Sequence, residues 1–238
     1  MEILRTTMKH LTFGLAAAVA LTTVHAKAED KPYVSIFGGA NISAGSSSFT
    51  NNQTSVDTDF DSGLLIGGAL GYKWNSLSFA GFSPRTEFEF SYSENGVGNV
   101  DFSGNGAGNE VLASGSNVSA FSAFANVFID ADTLIGNGIT PFIGGGVGIA
   151  RTNFDIVYGA GGLNLNDTST SFAWHVTGGV KYALNDRTSL FTDVGYRQIV
   201  NASSIRRRGS TVLSGPAGGS FEDSIDNVAV RVGISVDF

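Results

Sequence analysis

The sequence predicts an all-β fold: an eight-stranded antiparallel up-and-down transmembrane β-barrel. Three observations lead there. First, Val228, Val230, Val232, Ile234, Val236 and Phe238 alternate with Ala229, Arg231, Gly233, Ser235 and Asp237. Successive strand side chains point to opposite faces, so one face is a continuous apolar wall and the other is small or charged. A closed barrel in lipid needs that division, with its apolar side outward. Second, 32 glycines, 18 phenylalanines and only 4 prolines suit many strands and turns. Third, no stretch after the amino-terminal segment is long and apolar enough for a membrane helix, so any span must be made of paired strands.

The amino-terminal segment is a different object. Arg5 and Lys9 precede an apolar run from Leu11 to Leu21, followed by Val24-His25-Ala26 and Ala26-Lys27-Ala28. A basic start, a short apolar core and small residues at alternate positions predict a secretory signal peptide over 1–26, with Ala28 as a second cleavage site. Met8-Lys9-His10 offers an alternative start. Residues 27–238 then form the barrel domain, a length suited to one all-β unit.

Composition excludes several function classes. The chain has no cysteine, hence no disulfide, thiolate metal site or cysteine for lipid attachment. Its formal charge is −7, and removing Glu2, Arg5 and Lys9 leaves −8. An acidic chain gives no support for a nucleic-acid partner. No motif calls for a cofactor or a metal.

Eight strand candidates follow, at 33–42, 63–73, 84–93, 118–129, 140–150, 171–182, 189–199 and 225–238. Strand two sets Leu64, Ile66, Leu70 and Tyr72 against Gly67, Ala69, Gly71 and Lys73. Strand three sets Phe88, Phe90 and Tyr92 against Arg85, Glu87, Glu89 and Ser91. Strand five opposes Ile143, Val147 and Ile149 to Gly144, Gly146 and Gly148. Strand six opposes Trp174, Val176, Val180 and Tyr182 to His175, Thr177 and Lys181. Strand seven opposes Leu190, Val194 and Tyr196 to Asp193 and Arg197. Strands one and four carry apolar residues on both faces, which leaves their orientation open.

The connections alternate in length. Segments 43–62, 94–117, 151–170 and 200–224 are long and polar, while 74–83, 130–139 and 183–188 are shorter. Long loops outside the cell and short periplasmic turns are the pattern of an outer-membrane barrel. An even strand number puts both chain ends in the periplasm. Tyr72, Trp74, Tyr182 and Phe238 are then expected in an aromatic girdle at that rim.

Three segments carry a family resemblance: Arg85 to Tyr92, Thr140 to Gly148, and Phe172 through Tyr182 to Arg197. They resemble the small OmpA-like and opacity-type outer-membrane barrels, a porin family. The resemblance spans the whole mature chain. It implies fold and location more than activity, because such barrels serve as adhesins, antigens, structural proteins and narrow pores. It implies that Val230, Val232, Ile234, Val236 and Phe238 form the signal read by the outer-membrane assembly machinery. The chain stops at this last strand, so the separate peptidoglycan-binding domain that larger relatives append is not expected.

On the inner face, Lys73, Arg85, Lys181, Arg197 and Arg231 meet Glu87, Glu89, Asp193 and Asp237. An eight-stranded barrel is just wide enough for side chains to fill, and buried charges must pair. The expectation is a salt-bridged plug. The competing reading is a gate at Glu87 and Glu89, exchanging partners with Arg85 and Arg231. His175, Thr177 and Asp193 faintly resemble a hydrolase set, although the pattern points His175 inward, away from lipid. Arg206, Arg207 and Arg208 fall in the last loop. They are either a solvated charge run or a forked contact to a polyanion such as lipopolysaccharide. Asp57, Asp59 and Asp61 alternate in the first loop without the glycine and distal glutamate of a calcium site. Gly144 to Gly148 and Gly178-Gly179 lack the lysine and helix of a phosphate loop, and read as places of close approach within strands.

The expected function is a non-enzymatic surface and envelope protein. Lipid and lipopolysaccharide surround it, and a host or surface ligand meets its loops. A narrow pore for ions or small solutes is the alternative, and a lipid-modifying enzyme the third reading. A soluble lipocalin-like barrel competes on fold.

Overall fold

A computed structural model of the protein describes residues 30–43, 47–50, 54–104, 116–132, 134–158, 163–208, 210–212 and 220–238. The expected signal peptide lies outside the described residues. In chain order the strands are β1 (Lys31–Ser43), β2 (Ser47–Thr50), β3 (Thr54–Phe60), β4 (Gly63–Lys73), β5 (Phe82–Gly104) and β6 (Asn117–Ala131). They continue with β7 (Ile139–Tyr158), β8 (Leu163–Ala183), β9 (Thr188–Arg208), β10 (Thr211–Val212) and β11 (Ser220–Asp237), and a short 3-10 turn spans Asn75–Leu77.

Eight of these strands close a ring. Every neighbouring pair is antiparallel, from β1–β4 through β5, β6, β7, β8 and β9 to β11. β11 returns to β1 in continuous register, from Tyr33↔Asp237 to Ser43↔Asn227. Closure pairs the first strand with the last, so the sheet does not end on an open edge strand, which lipid would not tolerate. The two chain ends meet at one rim, where Phe238 N–H donates to Pro32 O at 3.0 Å. This is the lower rim of the barrel.

The predicted faces hold. Ile66, Leu70, Phe88, Phe90, Ile143, Val147, Val176, Val194 and Val232 are exposed on the outside. Strands one and four resolve with aromatic rings inward: Tyr33, Phe37, Phe124 and Phe128 are all buried. Room comes from glycine on the adjacent strand. A Cβ at Gly71 would lie 2.1 Å from the Tyr33 ring, one at Gly67 2.5 Å from Phe37, and one at Gly144 2.3 Å from Phe128. The sequence pattern alone could not choose a face there, because phenylalanine serves equally in lipid and against a glycine inside.

The apolar belt is short and sharply bounded. Along β11 it runs from Val228 to Val236, which at about 3.3 Å per residue and a tilt near 40° stands about 20 Å tall, comparable to the ~25 Å band of such barrels. Trp74, Tyr182 and Phe238 are exposed at its lower margin, and Tyr72 packs on Trp74 at a ring separation of 4.6 Å.

The strands do not stop at the upper margin, and here the sequence reading is corrected. β5 has 23 residues, β8 and β9 21 each, and β7 20. Much of the expected loops 94–117, 151–170 and 200–224 is therefore strand. So is much of 43–62, where β2 and β3 form a hairpin. β3 pairs with β5, and β2 touches β11 at Glu222↔Thr50. This hairpin fills the wall above the shorter β1 and β4. The extension was hidden because the alternation changes sign. Arg151, Asn153 and Asp155 point out of β7 where Ile143, Val147 and Ile149 did so lower down, while Thr152, Phe154 and Ile156 point in.

One stretch of wall departs from regular pairing. The β8–β9 ladder breaks between Leu165 and Ala173, and Asn201 takes φ +54. Serines bridge the break: Ser171 Oγ donates to Asn201 O at 3.1 Å and Ser203 N–H donates to Ser169 Oγ at 3.1 Å.

Candidate functional site: the barrel lumen

The lumen has two storeys. Among the described residues, the lower one holds ten charged side chains joined in ion pairs. Nearest the lower rim, Lys73 Nζ donates to both carboxylate oxygens of Asp237 at 2.7 Å. Next, Arg85 pairs with Glu87, donates from Nε to Asp130 Oδ1 at 3.0 Å and from Nη1 to Tyr33 OH at 2.9 Å. Tyr33 OH donates to Glu87, and Lys181 pairs with Asp130.

Higher up, Glu89 is 1% exposed and binds two arginines. Arg197 Nη2 reaches Oε1 at 2.8 Å, and Arg231 Nη1 reaches Oε2 at 2.9 Å. Arg231 Nε also donates to Asp193 Oδ1 at 2.8 Å, Arg197 Nη1 to Ser91 Oγ at 3.1 Å and Asn126 Nδ2 to Glu89 at 3.3 Å.

The network balances: Lys73, Arg85, Lys181, Arg197 and Arg231 face Glu87, Glu89, Asp130, Asp193 and Asp237. The nine charged residues expected on the inner face all stand in ion pairs, and Asp130 is a tenth member. Asp130 is the residue that sequence reading missed. It falls in a segment expected to be a turn, yet it keeps the parity of Asn126 and Phe128, so one more strand step would have found it. Glu87 and Glu89 stand in different clusters: Arg85 belongs to Glu87, and Arg231 to Glu89.

Aromatic faces complete the arginine environments. The Arg85 guanidinium lies 3.9 Å from the Phe128 ring centre and 4.9 Å from Phe142. Arg197 lies 4.6 Å from Phe124, and Arg231 4.8 Å from Phe37. A guanidinium is less tightly hydrated than an ammonium and stacks on rings, so this setting offsets part of its desolvation.

The upper storey carries no buried ion pair among the described residues; it mixes an apolar cluster with uncharged polar side chains, Asn41, Ser93, Asn95, Thr152 and Asn227. Val118, Ala120, Phe124, Ala150, Phe154, Ile156, Ala173, Ile199, Ala202 and Ile225 form one buried cluster. Cavities of about 30 Å³ beside Glu89 and Asp193, and about 20 Å³ beside Thr152 and Ile225, lie among these side chains. A larger volume, about 180 Å³, is the lower mouth between Lys73, Asp130, Lys181 and Asp237.

The other candidates fall elsewhere. His175 is buried, with its Nε2–H donating to Asn126 Oδ1 at 2.9 Å and its ring edge-on to Phe124 at 4.9 Å. Thr177 Oγ1 donates to Asp193 Oδ1 at 3.1 Å and approaches Val194 O at 3.0 Å. These contacts build no relay from a nucleophile through a base, since the histidine engages an asparagine. Arg206, Arg207 and Arg208 end β9 rather than lying in a loop, opposite Leu165, Asn164 and Leu163. Three consecutive strand positions cannot present three guanidinium groups on one face. Asp57 and Asp59 are likewise in strand, facing Asp101 and Asn99 of β5, and Asp61 N–H donates to Gly96 O at 2.9 Å. Val230, Val232 and Phe238 are exposed on the outer wall, with Ile234 and Val236 half-buried beside them.

The fold is shared with solved structures at low identity. The outer membrane protein OprG from Pseudomonas aeruginosa is 16% identical, with 89% of this chain and 97% of that one covered and a TM-score of 0.54. A major outer membrane protein from Thermus thermophilus is 12% identical, with 87% and 99% covered and a TM-score of 0.50. Comparison with curated proteins gave no match. The family model described as outer membrane protein beta-barrel domain matches residues 13–238. With its closed ring, lipid-facing belt and near full-length match, the chain belongs to the outer membrane protein beta-barrel domain family and resides in the outer membrane.

Proposed function

We propose that this outer-membrane barrel is a non-enzymatic surface protein that raises binding loops above the lipid. Export follows removal of residues 1–26. The lower rim faces the periplasm and the tall end faces outward. One observation carries the reading: β5, β7, β8 and β9 continue past the apolar belt, and on β7 Arg151, Asn153 and Asp155 face outward while Phe154 and Ile156 join a buried cluster. That is how a water-immersed sheet is built, so the upper storey is a rigid stand for its loops. Loops on such stands carry recognition. The partners it suits are host surfaces, antibodies, phage or lipopolysaccharide, with the β9 tip at Arg206 to Arg208 as a phosphate contact.

The filled lumen argues against a steady pore, and the His175–Asn126 contact argues against hydrolysis. Planar-bilayer recording and lipid analysis of overexpressing cells test both together. The expected result is no reproducible conductance and unchanged lipid A and phospholipid. Conductance steps altered by Glu89→Gln would move the protein to the pore class. Lipid changes lost with His175→Ala would make it an enzyme. For the phosphate contact, replacing all three tip arginines by glutamine is expected to reduce lipopolysaccharide co-purification, and undiminished retention would overturn it.

A further inference from the structure

Turns at a barrel rim are ordinarily polar, because water covers them. The first two turns here add large apolar side chains to their polar ones. Residues 74–81 carry Leu77 and Phe79, and residues 132–138 carry Leu134 and Ile135, all exposed. Phe79 is 81% exposed. The backbone holds this display in place. Phe79 and Phe82 exchange backbone hydrogen bonds at 2.9 Å across a two-residue turn, with Ala80 at φ 51 and Gly81 at φ 83. That makes Phe79 and Phe82 a directly opposed pair in a miniature hairpin. An alanine in the left-handed region is unfavourable, so the hairpin is held against local preference. The second turn docks on the first, Asp132 N–H donating to Gly81 O at 2.9 Å. The third turn is different: after Leu184 come Asn185, Asp186 and Arg187, all exposed, and Asn185 Oδ1 accepts the Arg187 and Thr188 N–H groups at 3.0 and 2.9 Å.

We propose that the first two turns are immersed in the acyl–headgroup boundary of the periplasmic leaflet, so the barrel sits deeper on its β5–β7 side than at the β8–β9 turn. The occupant of the apolar patch is lipid because the patch adjoins the lipid-facing wall. Phe82, opposite Phe79, and Ile129, which pairs with Pro84 at the start of β5, are exposed on the same outer wall. Apolar and aromatic side chains favour that boundary.

The test uses full-length protein refolded into phosphatidylcholine vesicles, with folding checked by heat-modifiable migration. In a background with Trp74→Phe and Trp174→Phe, a single tryptophan is placed by Phe79→Trp, Leu134→Trp or Asp186→Trp. The first two are expected to emit blue-shifted and to be quenched several-fold more by lipid brominated on the upper acyl chain than by aqueous acrylamide. Asp186→Trp should show the reverse. Equal acrylamide quenching at all three positions would place the turns in water and overturn the proposal. Protection of Phe79→Trp from both quenchers would mean that protein, a second copy or another chain, covers the patch, and would overturn it equally.

Discussion

Strand β7 passes through two environments and obeys opposite rules in each. Up to Ile149 its outward residues include Ile143, Val147 and Ile149, and its inward ones are Phe142 and glycines backing Phe128 and Asn126. From Ala150 onward its outward residues are Arg151, Asn153 and Asp155, while Ala150, Phe154 and Ile156 are buried inside. The lumen changes with it, from paired charges to an apolar cluster. What differs between the storeys is the solvent on the outer wall. Lipid outside takes up the apolar side chains, leaving polar groups to satisfy each other within. Water outside reverses the assignment, and the hydrophobic effect again drives apolar groups inward.

The comparison is broken most severely at the centre of the lower storey. Glu89→Ala leaves Arg197 and Arg231 without their shared carboxylate, and the expected loss is about 3–5 kcal/mol, the usual cost of stranding a buried charge. The urea midpoint of refolding in vesicles measures it. An unchanged midpoint would show that water, not Glu89, neutralises the arginines. Next, one substitution can be read in both environments on the same strand. Val147→Arg, facing lipid, should cost about 2–4 kcal/mol, whereas Asn153→Arg should stay within about 0.5 kcal/mol. Equal losses at both sites would erase the boundary drawn at Ala150.

A smaller effect is expected from Gly144→Ala. Its Cβ would lie 2.3 Å from the Phe128 ring, and overpacking of that kind costs roughly 1–3 kcal/mol. The Arg85–Phe128 contact should loosen with it, visible as a shifted aromatic signal in solid-state NMR. The smallest is Ile199→Val in the upper cluster, at about 0.5–1.5 kcal/mol. Heat-modifiable migration should report that loss as a slightly lower unfolding temperature. No change at all would mean the upper storey is not a packed core.

The closed eight-strand ring, the lipid face and most of the charge network were legible in the chain because period-two alternation is a local signal. Phe88, Phe90 and Tyr92 against Arg85, Glu87 and Glu89 need no partner strand to be read. The upper storey was not legible for the same reason. A pattern sought with apolar residues outward stops registering where water replaces lipid, so Asn153, Phe154 and Asp155 looked like loop. Asp130 was lost at a strand end, where alternation offers the fewest neighbours to establish its phase.

Alternation along the chain by itself determined which residues of each clear strand share a face, how many strands close the ring and that they suit a membrane. Tertiary structure alone decided that Phe37, Phe124 and Phe128 turn inward, that Glu89 takes Arg197 and Arg231 while Glu87 takes Arg85, and how far the wall rises above the lipid. Those choices depend on which residues stand opposite on neighbouring strands: a glycine leaving space, an arginine within reach, or a change of solvent at the outer wall. None of these is a property of one strand's own sequence.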